Sequence, residues 1–370
     1  MFKKLFRKKA VTLPLTISGF WKWFAGQERD FFQAVRRGSQ VEAEFLDVIG
    51  PVIGRIIPGT AFLTGMMEDD TAELIFSADG DLRIIPFIED LVNAAPALPN
   101  WKFTALKPAL QAEDVNIEMN GLQFTRDNIF FSPVLQPDFP DEIALAVIHQ
   151  EYEPGQHDDF TNGIYIYLDN LLGELNFATT IDHLRIISKS EEPEELIPVE
   201  KLPAYLVWRE KEFVEKYDGM RRTTGEDAFQ SFEGQTNDGT RIVAVLNTTL
   251  LDWDAKASHP WFVNIELSYT AEGDSGFPNE TDLGLMEALE EELMARLPEQ
   301  NGYLNLGRET GGGKRHIFFA CREFRQPART LKQMAERSGA QLRISFDIYK
   351  DKYWRTLAHF TNAAAGIDES

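Results

Sequence analysis

Between Trp261 and Lys350 the spacing of apolar residues changes period four times, and that succession leaves few folds open. WFVNIELSY (261–269) alternates as a strand does. PNETDLGLMEALEEELMARL follows, with Asn279 as cap, acids in the first turn and a stripe at Met286, Leu289, Leu293 and Leu297, which predicts an amphipathic helix. YLNLGR and KRHIFFAC are two further strands. PARTLKQMAERSG predicts a helix from Pro327 to the stop at Gly339, with Leu331, Met334 and Ala335 inward. LRISFDIY alternates again, with Leu342, Ile344, Phe346 and Ile348 on one face. The order is βαββαβ, that of a ferredoxin-like α+β sandwich. The glycine run in GYLNLGRETGGGKRH tests one alternative, a phosphate-binding loop. That loop needs G-x-x-x-x-G-K-[ST] between a strand and a helix. Counting from Gly307, Gly313 fills the lysine slot, Lys314 comes one place late, and a strand follows. Gly311 to Gly313 therefore reads as a hairpin turn needing positive φ.

Upstream, FWKWFAGQERDFFQAVRR predicts one or two core-facing helices, and VEAEFLDVIGPVIGRI another, bent or broken at Gly50–Pro51. TAFLTGM, AELIFSADG and DLRIIP read as short strands with a turn at 78–81. A helix follows from Pro86 to near Pro96, then the strand NWKFTALKP. This order echoes the last third and would make the N-terminal half a diverged second copy. Residues 113–185 read as strand-rich: VNIEM, LQFT, NIFFSPVL, EIALAVIHQEY, GIYIYLD and LRIIS. The polar, acidic stretch SKSEEPEELIPVEKLP is the expected boundary. The expected organisation is a basic tail (1–17), an N-terminal α+β domain with antiparallel strands (18–190), a linker (191–204), the ferredoxin-like domain (205–362) and a C-terminal tail (363–370).

Charge and cysteine content set function classes aside. Of 370 residues, 43% are hydrophobic and 27 are Phe, enough for real cores. A net charge of -22 repels nucleic-acid phosphates and anionic lipid. Cys321 is the one cysteine, so no internal disulfide and no thiolate zinc site is expected; alternation puts it beside Ile317 and Phe319 as a core thiol. No run of about 18 apolar residues predicts a membrane span. The start, MFKKLFRKKAVTLPLTISGFW, reads as a frayed basic tail rather than a signal peptide, because Pro14, two threonines and Ser18 interrupt its apolar stretch. A cytoplasmic protein is expected, without stable membrane insertion, nucleic-acid partner, cofactor or metal.

No catalytic motif stands out. None of the six histidines lies in a metal-binding spacing, and His157-Asp158-Asp159 reads as a solvated loop. Asp252, Asp254, Ser258 and His259 lie within eight residues but lack a nucleophile elbow, so a locked loop is the expectation. Asp169 and Glu174 in LDNLLGELNF read as surface acids on alternating or turn positions. The most informative feature is the face of the C-terminal sheet opposite its helices. Alternation assigns to it Phe262, Asn264, Glu266, Tyr303, Asn305, His316, Phe318, Arg343, Asp347 and Tyr349. Phe262, Glu266, Tyr303, His316, Phe318, Asp347 and Tyr349 are the candidate binding residues. Exposed aromatic patches are rare, so this face should be covered by the N-terminal domain, a second subunit or a protein partner.

FVEKYDGM, LNTTLLDWD, SHPWFVNIEL, GYLNLGRET, HIFFACREF and DIYKDKYW together resemble the C-terminal portion of DUF695 proteins, a bacterial family of unknown function. FWKWF, AELIFSADG, NWKFTALKP and LDNLLGELNFATTIDHL resemble the N-terminal extension of its longer members, so the resemblance spans roughly residues 20–362. The C-terminal fold also resembles, more distantly, regulator of ribonuclease E activity B, an acidic protein that inhibits an RNA-degrading enzyme. The resemblance brings no catalytic residues. What it implies is a non-enzymatic binding or regulatory protein acting through protein–protein contacts, with a homodimer left open. Two alternatives are an immunity or inhibitor protein against a basic toxin or nuclease, and a hydrolase of unrecognised type using Asp252, His259 and Asp254.

Overall fold

The computed structural model describes residues 16–188, 191, 195–235, 239–271, 275–338 and 342–360; the predicted basic tail up to residue 15 and the C-terminal tail lie outside them. The chain divides into two compact units, at Lys107/Pro108 rather than within the expected linker.

The first unit has helices α1 (Ile17–Ala25), α2 (Glu28–Arg37) and α3 (Asp47–Ile56), strands β1 (Ala61–Glu68) and β2 (Thr71–Ser77), helix α4 (Ile85–Asn93) and strand β3 (Trp101–Ala105). Thr16 caps α1 by accepting from the Gly19 amide. The aromatic spacing buries Phe20, Trp21, Phe24, Phe31 and Phe45 with Phe76 and Trp101. Helix α3 runs through Pro51, and its irregularity lies one turn earlier, in a π-helical turn at Glu42–Leu46. DLRIIP is not a strand. The Asp81 carboxylate accepts from the Arg83 amide and side chain, closing a turn, and α4 starts at Ile85 with Pro86 in its first turn. The sheet order is β1-β2-β3, with β2 and β3 parallel across α4. That connection is absent from the all-antiparallel C-terminal sheet, so the echo seen in sequence is not a structural repeat.

The second unit opens with the hairpin β4 (Ile117–Met119) and β5 (Leu122–Phe124). Strands β6 (Ile129–Val134) and β7 (Ala144–His149), helices α5 (His157–Leu172) and α6 (Glu174–Thr180), strands β8 (His183–Ile186) and β9 (Ile197–Pro198) and helix α7 (Leu202–Tyr217) follow. GIYIYLD is helix, not strand. Phe160, Ile164, Tyr167, Leu168, Leu171 and Leu172 form its buried stripe, while Tyr165 and Ile166 are exposed. Gly163 lets that stripe approach Phe124, whose ring would lie 2.0 Å from an added Cβ. The sheet order is β8-β7-β6-β9, with β7 and β8 parallel. Residues 197–198 of the expected linker pair with β6.

Strands β10 (Phe229–Gln235) and β11 (Arg241–Asn247) and the short helix α8 (Thr248–Leu251) lead into β12 (Trp261–Ser268), α9 (Glu280–Arg296), β13 (Tyr303–Gly311), β14 (Lys314–Cys321), α10 (Arg325–Arg337) and β15 (Arg343–Lys350). The sheet is antiparallel throughout, in the order β10-β11-β13-β14-β12-β15. Asn279 caps α9 as expected. Gly312 and Gly313, at φ +60° and +79°, form the two-residue turn of the β13–β14 hairpin. Helix α9 adds a feature its stripe did not show. Glu290 points inward and binds Arg315, itself 4% exposed, at 2.9 Å and Arg308 at 2.9 Å.

Candidate functional site

The register of β7 and β8 pairs Ala144 with His183, so Asp141, Glu142 and Asp182 share one end of the middle sheet. The segment from the last residue of β15 onward (KDKYWR) brings cations to that end. Lys352, 1% exposed, donates to Asp182 Oδ2 at 2.9 Å and to the Asp141 carbonyl at 2.5 Å, and lies 4.4 Å from the Phe213 ring centre. Lys350 reaches Asp182 Oδ1 at 3.2 Å and the Thr180 carbonyl at 3.0 Å. Burial pulls the Lys350 pKa down to about 8, against the raising field of Asp182. Burial would raise the Asp141 carboxyl, but hydrogen bonds from Lys216, Tyr217 and Tyr353 outweigh it and hold the group below its usual range. Arg355 meets Glu142 Oε1 at 2.9 Å, and His183 meets Oε2 at 2.8 Å. This charged seam joins the strand-rich middle to the C-terminal domain.

Beside the seam lies a cleft of about 340 Å³ walled by α6, α7 and the edge of the C-terminal domain. Phe213, Trp261 and Phe324 supply aromatic surface, with Trp261 and Phe324 edge to face at 5.0 Å. Glu323 is committed: it accepts from the Tyr303 hydroxyl at 2.6 Å and from the Arg325 and Gln326 amides. Arg322 donates to the Met220 carbonyl at 2.6 Å, and Arg221 donates to the same oxygen at 2.8 Å. Ser258 donates to the Ala255 carbonyl at 2.6 Å, with His259 Nδ1 at 2.9 Å from its oxygen. Burial, then Arg322 and Arg221, push the His259 pKa down to about 3, so the ring is neutral at physiological pH.

The predicted residues are divided by the structure. Phe262, Phe318 and Tyr349 do share a face, but not a free one. Leu250 and Leu251 of α8 and the residues after β15, Trp354, Leu357 and Phe360, pack with them in one core. The domain covers its own sheet, and Trp354 holds φ +55° to do so. Tyr303 and Asn305 face the other way. Tyr303 pairs with Cys321, which pairs with Trp261, whereas Leu304 pairs with Ala320 beside Phe262. The covered face is apolar, so it takes Leu304 and Leu306 from β13. Glu266, His316 and Asp347 occupy the open end: Glu266 bonds Lys314 at 2.8 Å, His316 bonds Asn264 at 3.0 Å, and Asp347 is exposed.

Asp252 and Asp254 line a separate pocket with Arg222, and among the described residues no carboxylate bonds the His259 ring. His157, Asp158 and Asp159 are the first turn of α5, not a loop, and Asp159 accepts from Asn120 at 2.8 Å. Asp169 lies within α5, and Glu174, 1% exposed, starts α6. Among the described residues no group of three or more His, Cys, Asp or Glu could hold a metal ion, and no helix is long and apolar enough to cross a membrane. Cys321 is fully buried, which pushes its thiol pKa up.

Sequence reasoning did not find Arg221, Arg322 and Lys350, which lie far apart in the chain. A signal was nonetheless present: FVEKYDGM, SHPW, HIFFACREF and DIYKDKYW all contribute to this one cleft. The model of DUF695, a family of unknown function, matches residues 231–361. No curated protein and no solved structure matches the chain. The DUF695 match thus takes in nearly all of the capped six-stranded sheet that supplies one wall of the cleft.

Proposed function

We propose that the protein is a non-enzymatic binding protein of regulatory type, which takes a protein partner along helix α7 and the adjoining cleft. The observation that carries this is the outer face of α7, where Val207, Trp208 and Val214 are 70%, 53% and 55% exposed. Val207 and Val214 lie seven residues apart on one stripe, Trp208 flanks it, and Val214 also lines the cleft, so the exposed apolar surface runs into an aromatic-walled recess. An exposed tryptophan on a helix that walls a pocket has the composition of an interface hot spot, and exposed apolar surface of this kind marks interaction sites. The groups at the cleft favour binding over chemistry. The Ser258 proton is given to a carbonyl, and neutral His259 is too weak a base to take one at pH 7. The same reading takes the βαββαβ connectivity, with sheet order β13-β14-β12-β15, as ferredoxin-like, and places the protein in the cytoplasm. The test is affinity capture from lysate by the tagged full chain and by its W208A and V214A variants. Both sites are exposed, so the fold should hold. A partner retained by the parent and lost by both variants is the expected result. Equal retention by all three would remove α7 as the contact surface.

A further inference from the structure

We propose that Arg322, which lines the cleft, and Arg221, which shares its Met220 acceptor, form a binding site for an oxyanion, a carboxylate or phosphoryl group, carried by the ligand of the cleft. This rests on the reading of the cleft as a contact site and adds the chemistry of what enters it.

Two guanidinium groups donate to one carbonyl oxygen, that of Met220, so those nitrogens lie closer together than the sum of 2.8 and 2.6 Å. Like charges this close repel unless an anion sits with them. The chain carries 59 acids against 37 lysines and arginines, so counter-charge is plentiful. The neighbouring Arg222 has taken Asp227. Among the described residues, however, no carboxylate forms an ion pair with Arg221 or Arg322. Asp218, on the cleft wall, reaches Arg322 only through its field.

The arrangement is built rather than loose. Arg322 lies across Gly302, where an added Cβ would sit 2.4 Å from the arginine Cδ, and the Arg322 amide donates to the Gly302 carbonyl at 2.9 Å. Gly302 at φ +91° thus leaves the space the side chain fills. Each guanidinium has five N–H donors and shows one bond, to Met220. Two such groups on one site match the several acceptor oxygens of a carboxylate or phosphate. Of the acids that line the cleft, Glu323 is taken by Tyr303 and two backbone amides, and Asp218 and Glu210 form no ion pair with either arginine, while neutral His259 and the Ser258 hydroxyl add no charge. Trp261 and Phe324 offer apolar surface to the organic body that carries the anion.

Inorganic phosphate is the probe, titrated at constant ionic strength into the full-length protein and its R221Q and R322Q variants, with thermal unfolding as readout. Arg221 is exposed, so R221Q leaves packing intact. The expected result is saturable stabilisation of the parent, an affinity about tenfold or more weaker in either variant, and an R221Q protein at least as stable as the parent without phosphate, because repulsion is relieved. Phosphate stabilisation that is equal in parent and variants, or absent from the parent, would overturn the inference. Partner capture by R221Q separates the sources of the anion. Weakened capture places the oxyanion on the partner. Unchanged capture with weakened phosphate binding assigns the site to a free anion. If phosphate binding is unchanged while W208A still abolishes capture, the oxyanion site falls and the binding role of α7 stands.

Discussion

Replacing Asp182 by asparagine should cost the second unit about 3–4 kcal/mol at pH 7. The change keeps the shape and an acceptor for the Ile143 amide, now bonded at 2.7 Å, and removes only charge. Two ammonium groups then lose their carboxylate, at 2.9 Å (Lys352) and 3.2 Å (Lys350). Lys350 has an escape. With its pKa already at about 8, losing the proton at pH 7 costs only about 1.4 kcal/mol, which caps its share of the damage. Lys352 carries the rest. It keeps the Asp141 carbonyl and the Phe213 ring, so its loss falls at the lower end of the roughly 3–5 kcal/mol for a broken buried pair. For a unit of this size the midpoint should fall by roughly 6–16 °C. The sign with pH follows from the same residue. The folded pKa of Lys350 lies below its unfolded value, so its burial penalty is fully present below pH 8 and is relieved as pH climbs toward 10.5. Parent stability should therefore rise from pH 7 to 9, and the D182N deficit should shrink by about 1 kcal/mol. Urea unfolding at both pH values measures this. A deficit under about 1 kcal/mol at pH 7 would refute the assignment of the seam as a buried, mutually dependent charge cluster.

Other substitutions have opposite expected signs. G163A should lose roughly 1–3 kcal/mol despite the better helix former, because the new Cβ meets the Phe124 ring. G284A, with open space around it in α9, should gain roughly 0.4–1 kcal/mol; denaturant midpoints decide both. E290Q should cost about 3 kcal/mol by leaving Arg315 buried without its carboxylate, and E290M with R315M should recover most of that loss, tested by a double-mutant cycle.

What was legible in the sequence depended on how many independent signals agreed. In the last third, caps, periodicity and turn glycines coincide, and each strand and helix is found in the order expected. GIYIYLD failed because seven residues satisfy two periods. Ile164, Ile166 and Leu168 alternate, while Phe160, Ile164, Tyr167 and Leu171 keep the helical spacing that tertiary packing selects. DLRIIP failed because Asp81 writes a turn through its side chain, which hydrophobicity does not register. The faces of β13 were inverted because Tyr-Leu-Asn-Leu alternates equally well either way. Only the covering of the opposite face by Trp354, Leu357 and Phe360 makes it apolar enough to claim the leucines. The seam and the Arg221–Arg322 pair join residues from 41 to more than 200 positions apart, a juxtaposition that no local spacing encodes.

The direct test of the binding surface is parallel affinity capture with W208A and with the double variant E266K/D347K. The first alters the strip on α7, and the second reverses charge at the open end of the sheet. Loss of the partner with W208A and its retention with E266K/D347K is the predicted result. Retention with W208A and loss with E266K/D347K would contradict it and return the site to the sheet face.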